Sequence, residues 1–248
     1  MSRAAPVYLD NAATAPVRPE AAAAAAEVMA QAGNPSAVHA FGRAARDRIE
    51  RARADVCALL GADRERLVFT SGGVEADNQA VLSAVAAGSR RLVVGATEHV
   101  AIPAACAATG LAVETWPVDG QGVADLDWLA DRLSRWDHEA DGAPFVALML
   151  ANNITGVIQP VEEAAALVRA HGGWLHVDAV AAAGKIAVDM EALGADTLAV
   201  AAHKIGAPQG VGALACGERV KPVRQLHGGA HERGLRAGTE NGPGIAGF

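Results

Sequence analysis

AAHKIGAPQGVG (201–212) lies between two apolar segments that are each predicted to form a strand, and it contains the most informative residue of the chain, Lys204. The 248 residues include only three lysines, so arginine supplies most of the positive surface charge. A lysine that follows a histidine at the end of an apolar strand and precedes a glycine-rich turn favours chemistry at its amine. A desolvated lysine amine can lose its proton and form a Schiff base with an aldehyde cofactor. The alternative is a partly buried lysine whose ammonium group reaches solvent.

Predicted strands and helices alternate on the N-terminal side of this segment. The predicted strands are 66–70, 91–94, 111–115, 145–150, 174–178, 197–201 and 211–215, and the predicted helices are 20–32, 43–60, 74–87, 100–108, 125–136 and 161–170. Strand 145–150 is almost entirely apolar, as is typical of a strand covered on both faces. The alternation predicts an α/β fold with a mainly parallel sheet and helices on both faces. We expect 216–248 to form a loop-rich closing region.

Composition limits the class of protein. A hydrophobic content of 51% and a charged content of 20% indicate a globular chain of one large domain or two small ones. A net charge of -7 argues against nucleic acid or an anionic membrane as the main partner. We see neither a signal peptide nor an apolar run long enough to span a membrane. The three cysteines, Cys57, Cys106 and Cys216, lack metal-ligand spacing, and their odd number favours a reduced, cytoplasmic setting.

Polar residues follow several of the predicted strands, where open α/β sheets bind their ligands. SGGVEADN (71–78) follows the first strand and opens a helix. Its glycines let backbone N–H groups near Gly73 and Val74 approach an anion, and the helix N-terminus favours negative charge. The segment therefore predicts a phosphate cradle, with an ordinary glycine turn as the alternative.

Three further strand-end residues have both a functional and a local interpretation. Asp178 could pair with a cationic heterocyclic nitrogen, or it could cap the following segment. His99 could stack on a flat ring, or it could cap a turn. Asn153 could donate to a ring substituent, or it could be a turn-forming asparagine. Together with the cradle and Lys204, these residues favour a site for pyridoxal 5'-phosphate.

His227 and His231 have a spacing that binds metal only on a helix. Two glycines between them make a helix unfavourable, so we expect a polar loop at a pocket mouth or subunit contact and no metal site.

The motifs of the chain, in their order and spacing, resemble those of the cysteine desulfurase group of class-V aminotransferase-fold enzymes. The matching segments are YLDNAATAPVRPE (8–20), GNPSAVHAFG (33–42), SGGVEADN (71–78), ATEHV (96–100), ANNITG (151–156), HVDAVAAAGK (176–185), AAHKIGAPQGVG (201–212) and HGGAHERGLRAGTEN (227–241). The resemblance implies the large domain of a fold type I, pyridoxal-phosphate-dependent enzyme over 16–248, usually as a homodimer. It implies that 1–15 would join a small domain, and we expect the C-terminal small domain to be absent.

The resemblance also implies roles for individual residues. Lys204 is similar to the cofactor lysine, which also moves a proton, and Asp178 to the partner of the pyridine nitrogen. His99 is similar to the imidazole that stacks on the ring and takes part in catalysis, and Asn153 to the contact of the ring oxygen.

The phosphate of the cofactor has its own set of implied contacts. These are the backbone N–H groups of Gly73 and Val74, the side chain of His203, and Thr239, which resembles the residue that reaches the phosphate in the neighbouring subunit.

The implied reaction removes sulfur from L-cysteine and leaves alanine and an enzyme persulfide. The implied partners are therefore L-cysteine, a second copy of the chain, and a sulfur-acceptor or scaffold protein of iron–sulfur cluster assembly.

Three positions depart from the family pattern. Val74, Ala181 and Ala201 stand where the family typically has threonine, glutamine and serine, so three side-chain donors near the cofactor are missing. Each lost hydrogen bond to a charged phosphate costs about 1.5–3 kcal/mol. We therefore expect weakened cofactor binding.

A second departure concerns the nucleophilic cysteine, which the family carries in its small domain. None of the three cysteines of this chain is expected to replace it, so we expect the chain to be inactive alone. The alternatives are a non-catalytic dimerising scaffold with weakened cofactor binding, and a pyridoxal-phosphate lyase that acts on another amino acid.

Overall fold

A computed structural model describes residues 6–248, so residues 1–5 of the predicted segment 1–15 lie outside the described residues. The helices are α1 (Pro19–Met29), α2 (Ala40–Leu60), α3 (Gly73–Ala86), α4 (Ala101–Ala108), α5 (Leu126–Ser134), α6 (His138–Asp141), α7 (Val161–Ala170) and α8 (Gly242–Ala246). The strands are β1 (Leu67–Thr70), β2 (Arg91–Gly95), β3 (Ala112–Trp116), β4 (Phe145–Ala147), β5 (Trp174–Asp178), β6 (Thr197–Ala201) and β7 (Gly212–Cys216). Each predicted strand and helix has a counterpart in the structure.

The seven strands form one sheet in the order β1-β7-β6-β5-β4-β2-β3. The pairs from β3 across to β6 are parallel, while β7 is antiparallel to both of its neighbours, β6 and β1. Strand β1 therefore runs in the same direction as β6. The mainly parallel sheet is confirmed, and the carboxyl ends of six strands meet at one edge.

Helices cover both faces of the sheet. On one face, α3 and α4 pack against Leu92, Phe145 and Leu214. On the other face, α2, α5 and α7 pack against the alternate strand residues, such as Val146 and Leu175. Because successive strand residues point to opposite faces, a strand buried on both sides is mostly apolar, as β4 and β7 are. Strand β5 is also buried but carries His176 and Asp178 on one face.

Strand β4 is shorter than the predicted strand 145–150. Its last pair with β2 joins Ala147 to Val94, after which the chain stays bonded only on the side of β5. The Leu148 N–H donates to the His176 carbonyl at 3.0 Å, and the Leu150 N–H donates to the Asp178 carbonyl at 2.9 Å. The apolar segment 145–150 is therefore buried, but its last residues form backbone hydrogen bonds with β5 and none with β2.

The region 216–248 is loop-rich, as predicted, apart from short helical turns and α8. A buried ion pair anchors it to the rest of the domain. The Arg53 guanidinium donates to both carboxylate oxygens of Glu232, at 2.9 and 2.8 Å, and the Phe69 N–H donates to the same carboxylate at 2.8 Å. Glu232 and Arg233 adopt left-handed backbone conformations, with φ of 46° and 54°, so this anchor holds a strained turn.

Within residues 6–248, no helix combines the length and the apolar character needed to cross a bilayer.

Candidate active site

A cavity of about 270 Å³ opens at the carboxyl edge of the sheet. Its lining comprises Ala13, Gly73, Val74, Asp77, His99, Met149, Asn153, Asp178, Val180, Ala181, Ala201, His203 and Lys204. Seven of the eight residues predicted for the site thus meet in one place. Thr239 is the exception: it is exposed and lines a separate cavity beside α1 and α2. Its predicted role was in a neighbouring subunit, and that role stays a prediction.

Lys204 ends a short 3₁₀ turn that directly follows β6. Its side chain is partly buried, and its amine donates to the carbonyl of Ala12. The amine of Lys185 in turn donates to the carbonyl of Lys204 at 3.0 Å. The amine of Lys204 is therefore held at the cavity by a backbone carbonyl rather than free in bulk solvent.

Asp178 is the last residue of β5 and is only 4% exposed. Its carboxylate accepts a hydrogen bond from the Val180 N–H at 2.8 Å. Burial, together with the nearby carboxyl group of Asp77, raises the pKa of Asp178 to about 7. The capping role is confirmed, and the carboxylate also lines the cavity, where its pairing with a cationic ring nitrogen stays a prediction. A cation beside it would favour its ionised form.

His99 has the capping role that was predicted, while its stacking on a flat ring stays a prediction. Its Nδ1 accepts a hydrogen bond from the Ala101 N–H at 3.2 Å at the start of α4, and its ring lines the cavity. For Asn153, the turn-forming role belongs to its neighbour Asn152, whose side-chain oxygen accepts from the Ile154 N–H at 2.9 Å. The side chain of Asn153 thus remains at the cavity wall.

The N-terminal segment closes one side of the cavity. The His203 ring nitrogen Nδ1 lies 3.2 Å from the Thr14 hydroxyl, and the Ala15 N–H donates to the His203 carbonyl at 2.9 Å. The Arg18 N–H donates to the Gly206 carbonyl at 2.8 Å. Burial and the amines of Lys204 and Lys185 lower the pKa of His203. The assignment of 1–15 to a small domain stays a prediction; residues 13–15 contact the large domain.

The predicted phosphate cradle is the N-terminal turn of α3. A side chain at Gly73 would lie 2.7 Å from a methyl group of Val180, so this close packing requires glycine. The cradle presents backbone N–H groups that have no partner within the helix. Val74 is 56% exposed, and Ala181 and Ala201 also line the cavity. The three apolar departures from the family pattern therefore all lie at the site.

Sequence reasoning did not single out a buried pair beneath Asp178. The Asp77 carboxylate is 1% exposed and lies 3.2 Å from His176 Nε2, while His176 Nδ1 lies 2.9 Å from the Thr197 hydroxyl. Burial raises the pKa of Asp77 to about 8 and lowers the pKa of His176 to about 4. A protonated Asp77 that donates to a neutral His176 satisfies both groups. The sequence did contain a signal for the position of His176. It lies two residues before Asp178 on β5, and residues two apart on a strand share a face.

Glu98 is a further acid that the sequence did not single out, and it is partly buried. Its carboxyl oxygen Oε1 accepts from the Met149 N–H, next to the cavity. Burial and the neighbouring Asp178 raise the pKa of Glu98 well above its ordinary value. A neutral Glu98 leaves Asp178 as the acid best placed to carry negative charge at the cavity.

All three cysteines are buried and free. Burial raises the pKa of Cys57 to about 11 and that of Cys106 and Cys216 to about 12. A buried thiol with a raised pKa is a poor nucleophile, which favours the expectation that none of the three replaces the nucleophilic cysteine of the family. His227 and His231 lie in a non-helical segment, in agreement with the predicted loop. Among residues 6–248, no group of three potential metal ligands converges.

A lysine and a buried carboxylate at the carboxyl edge of a mainly parallel sheet, with helices on both faces, define the large domain of a fold type I enzyme. The class-V aminotransferase family profile matches residues 7–248, and the chain belongs to this family.

Individual relatives show which members of this family the chain is similar to. The chain is 42% identical to a cysteine desulfurase of Trichormus azollae over 98% of its own length and 60% of the relative's. A solved NifS-like protein from Rickettsia africae superposes with a TM-score of 0.90 at 30% identity, over 97% of this chain and 66% of that one. SspA, solved in complex with cysteine, superposes with a TM-score of 0.88 at 27% identity, over 97% and 70%. The chain thus spans about 60% of the length of the curated relatives it matches.

Proposed function

We propose that this chain holds pyridoxal 5'-phosphate in the cavity and serves the desulfuration of L-cysteine. The observation that carries the proposal is the meeting of Lys204, Asp178 and His99 at one cavity, although they come from three separate strand ends. Their shared location matches what an aldehyde-bearing, cationic and aromatic ring needs: an amine, a carboxylate and a flat imidazole.

The residues present fit this cofactor. Gly73 and Val74 line the cavity at the N-terminus of α3, where backbone N–H groups could bind a phosphate, while Asp178 offers a buried carboxylate to a ring nitrogen. Asn153 and His203 line the cavity between them. When bound, the cofactor supplies an electron sink for reactions at the α-carbon of an amino acid.

The chain's own residues would bind, orient and move protons. Lys204 would hold the aldehyde carbon through its amine, and on release it would move a proton at Nζ. Before that, the amine must leave the carbonyl of Ala12, to which it donates. Asp178 would stay ionised beside a cationic nitrogen, because an opposite charge lowers the pKa of a carboxyl group. The ring of His99 would stack on the cofactor.

L-Cysteine is the proposed substrate because the curated relatives are named cysteine desulfurases and one structural neighbour was solved with cysteine. A persulfide requires a reactive thiol, and the buried cysteines of this chain do not supply it. The thiol would come from outside residues 1–248. A second copy of the chain and a sulfur-acceptor protein are the other proposed partners.

The test is to titrate purified chain with pyridoxal 5'-phosphate and record a visible absorbance band that neither component shows alone. Borohydride reduction followed by peptide mapping then locates the modified lysine. We expect the adduct at Lys204, and its loss in Lys204→Ala. Lys185→Arg is the matched control, since Lys185 is the neighbouring amine and should not be required. A band with no adduct at Lys204 would contradict the proposal.

A second candidate function is a dimerising scaffold that no longer depends on the cofactor. The observation that favours it is the apolar character of Val74, Ala181 and Ala201, all of which line the cavity. The same titration separates the two candidates, because a scaffold predicts no band at saturating cofactor.

A further inference from the structure

Helix α3 carries a row of three polar residues, Glu75, Gln79 and Ser83, spaced four apart and hence on one face. This polar row holds the segment 223–236 against the helix. The Gln79 side-chain amide donates to the carbonyls of Val223 and Leu235, at 3.0 and 3.1 Å. The Ser83 hydroxyl accepts from the Val223 N–H at 3.0 Å. The segment is thus fixed along three turns of the helix that begins with the phosphate cradle.

The first member of the row, Glu75, joins this segment to the cradle itself. One carboxylate oxygen accepts from the Ser71 N–H at 2.8 Å, just before the helix begins. The guanidinium of Arg236 donates to the two oxygens at 3.0 and 3.4 Å. The side chains are only 12% and 22% exposed, so solvent screens the pair weakly. Glu75 therefore fixes the turn that positions the N–H groups of Gly73 and Val74.

The charge of Glu75 is a difficulty for a phosphate site. Burial alone would raise its pKa, but the hydrogen bonds from Arg236 and Ser71 hold the pKa of Glu75 below its ordinary value, so it is ionised at neutral pH. Two residues away along the helix, Gly73 lines the cavity. An ionised carboxylate beside a phosphate dianion repels it unless a cation balances it. Arg236 supplies that cation.

We propose that Arg236 is a positioning residue that neutralises Glu75 and so makes the cradle selective for a phosphorylated ligand. This rests on the proposed function, since it concerns the same cavity. In this proposal, the carboxylate of Glu75 holds the turn that forms the cradle. The guanidinium of Arg236 balances the negative charge of that carboxylate. Because Val74 supplies no hydroxyl group, backbone N–H groups and local charge carry more of the phosphate recognition here.

The test compares dissociation constants for pyridoxal 5'-phosphate and for pyridoxal, which lacks the phosphate, at low ionic strength. Arg236→Ala should weaken binding of the phosphorylated ligand about tenfold and leave pyridoxal within about twofold. Adding Glu75→Gln to Arg236→Ala should restore most of the lost affinity, because it removes the unbalanced charge. Arg236→Lys should stay within about threefold of the wild-type chain, since it keeps the charge.

Arg224→Ala is the matched control. Arg224 donates to the Gly234 carbonyl at 2.7 Å in the same segment but does not contact Glu75, so its loss loosens the segment without unbalancing the cradle. We expect it to change neither dissociation constant by more than about twofold. Equal weakening of both ligands by Arg236→Ala, or no rescue by Glu75→Gln, would overturn the inference while leaving the proposed function intact. Failure of the wild-type chain to bind the cofactor would overturn both.

Discussion

At the scale of single residues, the cavity combines an amine that is held in place with acids whose ionisation depends on burial. The Lys204 amine donates to a carbonyl of the N-terminal segment, and Asp178 is nearly inaccessible. Neither arrangement is typical of surface residues. We expect a ligand in the cavity to change the hydrogen-bond partner of the Lys204 amine and the charge of the Asp178 carboxyl group.

Val74→Thr should tighten binding of pyridoxal 5'-phosphate. It returns a hydroxyl donor to the N-terminal turn of α3, and a hydrogen bond to a charged group contributes about 1.5–3 kcal/mol, or at least about a tenfold change in dissociation constant. Equilibrium titration of the two chains measures the change. Val38→Thr, at a valine that is 85% exposed and outside the cavity, is the control and should have no effect. Unchanged affinity in Val74→Thr would show that a phosphate does not lie beside this residue.

Asp77→Asn should change how stability depends on pH. The folded pKa of Asp77, about 8, lies above its ordinary value of 3.8, so the folded chain binds more protons than the unfolded chain between these values. The free energy of unfolding therefore falls as pH rises through this window. The amide of asparagine can still donate to His176 but cannot ionise, so the variant should lose less stability between about pH 5 and 8.

Urea unfolding of the cofactor-free chain across this pH range measures the effect. His176 has the opposite effect on stability, because its folded pKa of about 4 lies below its ordinary value of 6.5. Its contribution to the free energy of unfolding therefore increases between about pH 4 and 6.5 in both proteins. Asp47→Asn, at an exposed aspartate of α2, is the control. An Asp77→Asn profile parallel to the wild-type profile would contradict the assignment of a protonated Asp77.

At the scale of elements, buried ion pairs fix loops that have little regular structure of their own. The Arg53–Glu232 pair joins α2 to the turn at 232–234 and also caps the Phe69 N–H at the edge strand β1. An edge strand paired on only one side leaves such N–H groups free, so this contact satisfies one of them and also anchors the loop.

Arg53→Ala should lower the free energy of unfolding by about 3–5 kcal/mol, because it leaves the carboxylate of Glu232 buried without its cation. Denaturant unfolding measures this loss. Arg135→Ala removes an exposed ion pair with Asp131 and should cost at most about 1 kcal/mol. The double variant Arg53→Met/Glu232→Leu should recover part of the loss. If Arg53→Ala were no worse than Arg135→Ala, the pair would not anchor the loop.

At the scale of the whole molecule, the proposed cofactor cavity and the three cysteines lie in different parts of the fold. The cavity is lined by residues at the ends of five strands and by the N-terminal segment, whereas the three cysteines are buried inside helices α2 and α4 and strand β7. None of the three cysteines lines the cavity.

The purified chain, loaded with pyridoxal 5'-phosphate and given L-cysteine and a reductant, should therefore release no sulfide above background. Burial favours protonated thiols at neutral pH, so we expect none of the three cysteines to accept sulfur. Sulfide and alanine assays check this, with a full-length curated relative as the positive control. Sulfide release that disappears when one of the three cysteines is replaced by alanine would contradict it.

Much of the fold could be predicted because helix and strand periods are local properties of the sequence. The buried strand 174–178 is apolar except for His176 and ends in Asp178, and the mainly apolar strand 197–201 is followed by Lys204. Parallel strands place such ends at one edge, so the cavity residues followed from the topology. The antiparallel pairing of β7 was not predicted, because a strand of similar composition can pair in either direction.

By itself the sequence determined the strand order along the chain, the helices on both faces, and the polar residues at the strand ends, since each depends on neighbours within one element. Only the tertiary structure decided that Asp77 meets His176, that Arg53 binds Glu232, and that Arg236 balances Glu75. These partners are about 100 to 180 residues apart, and their contact depends on how the helices and loops pack on the sheet. Burial then sets their charge, and burial is a property of the packed molecule, not of any local pattern.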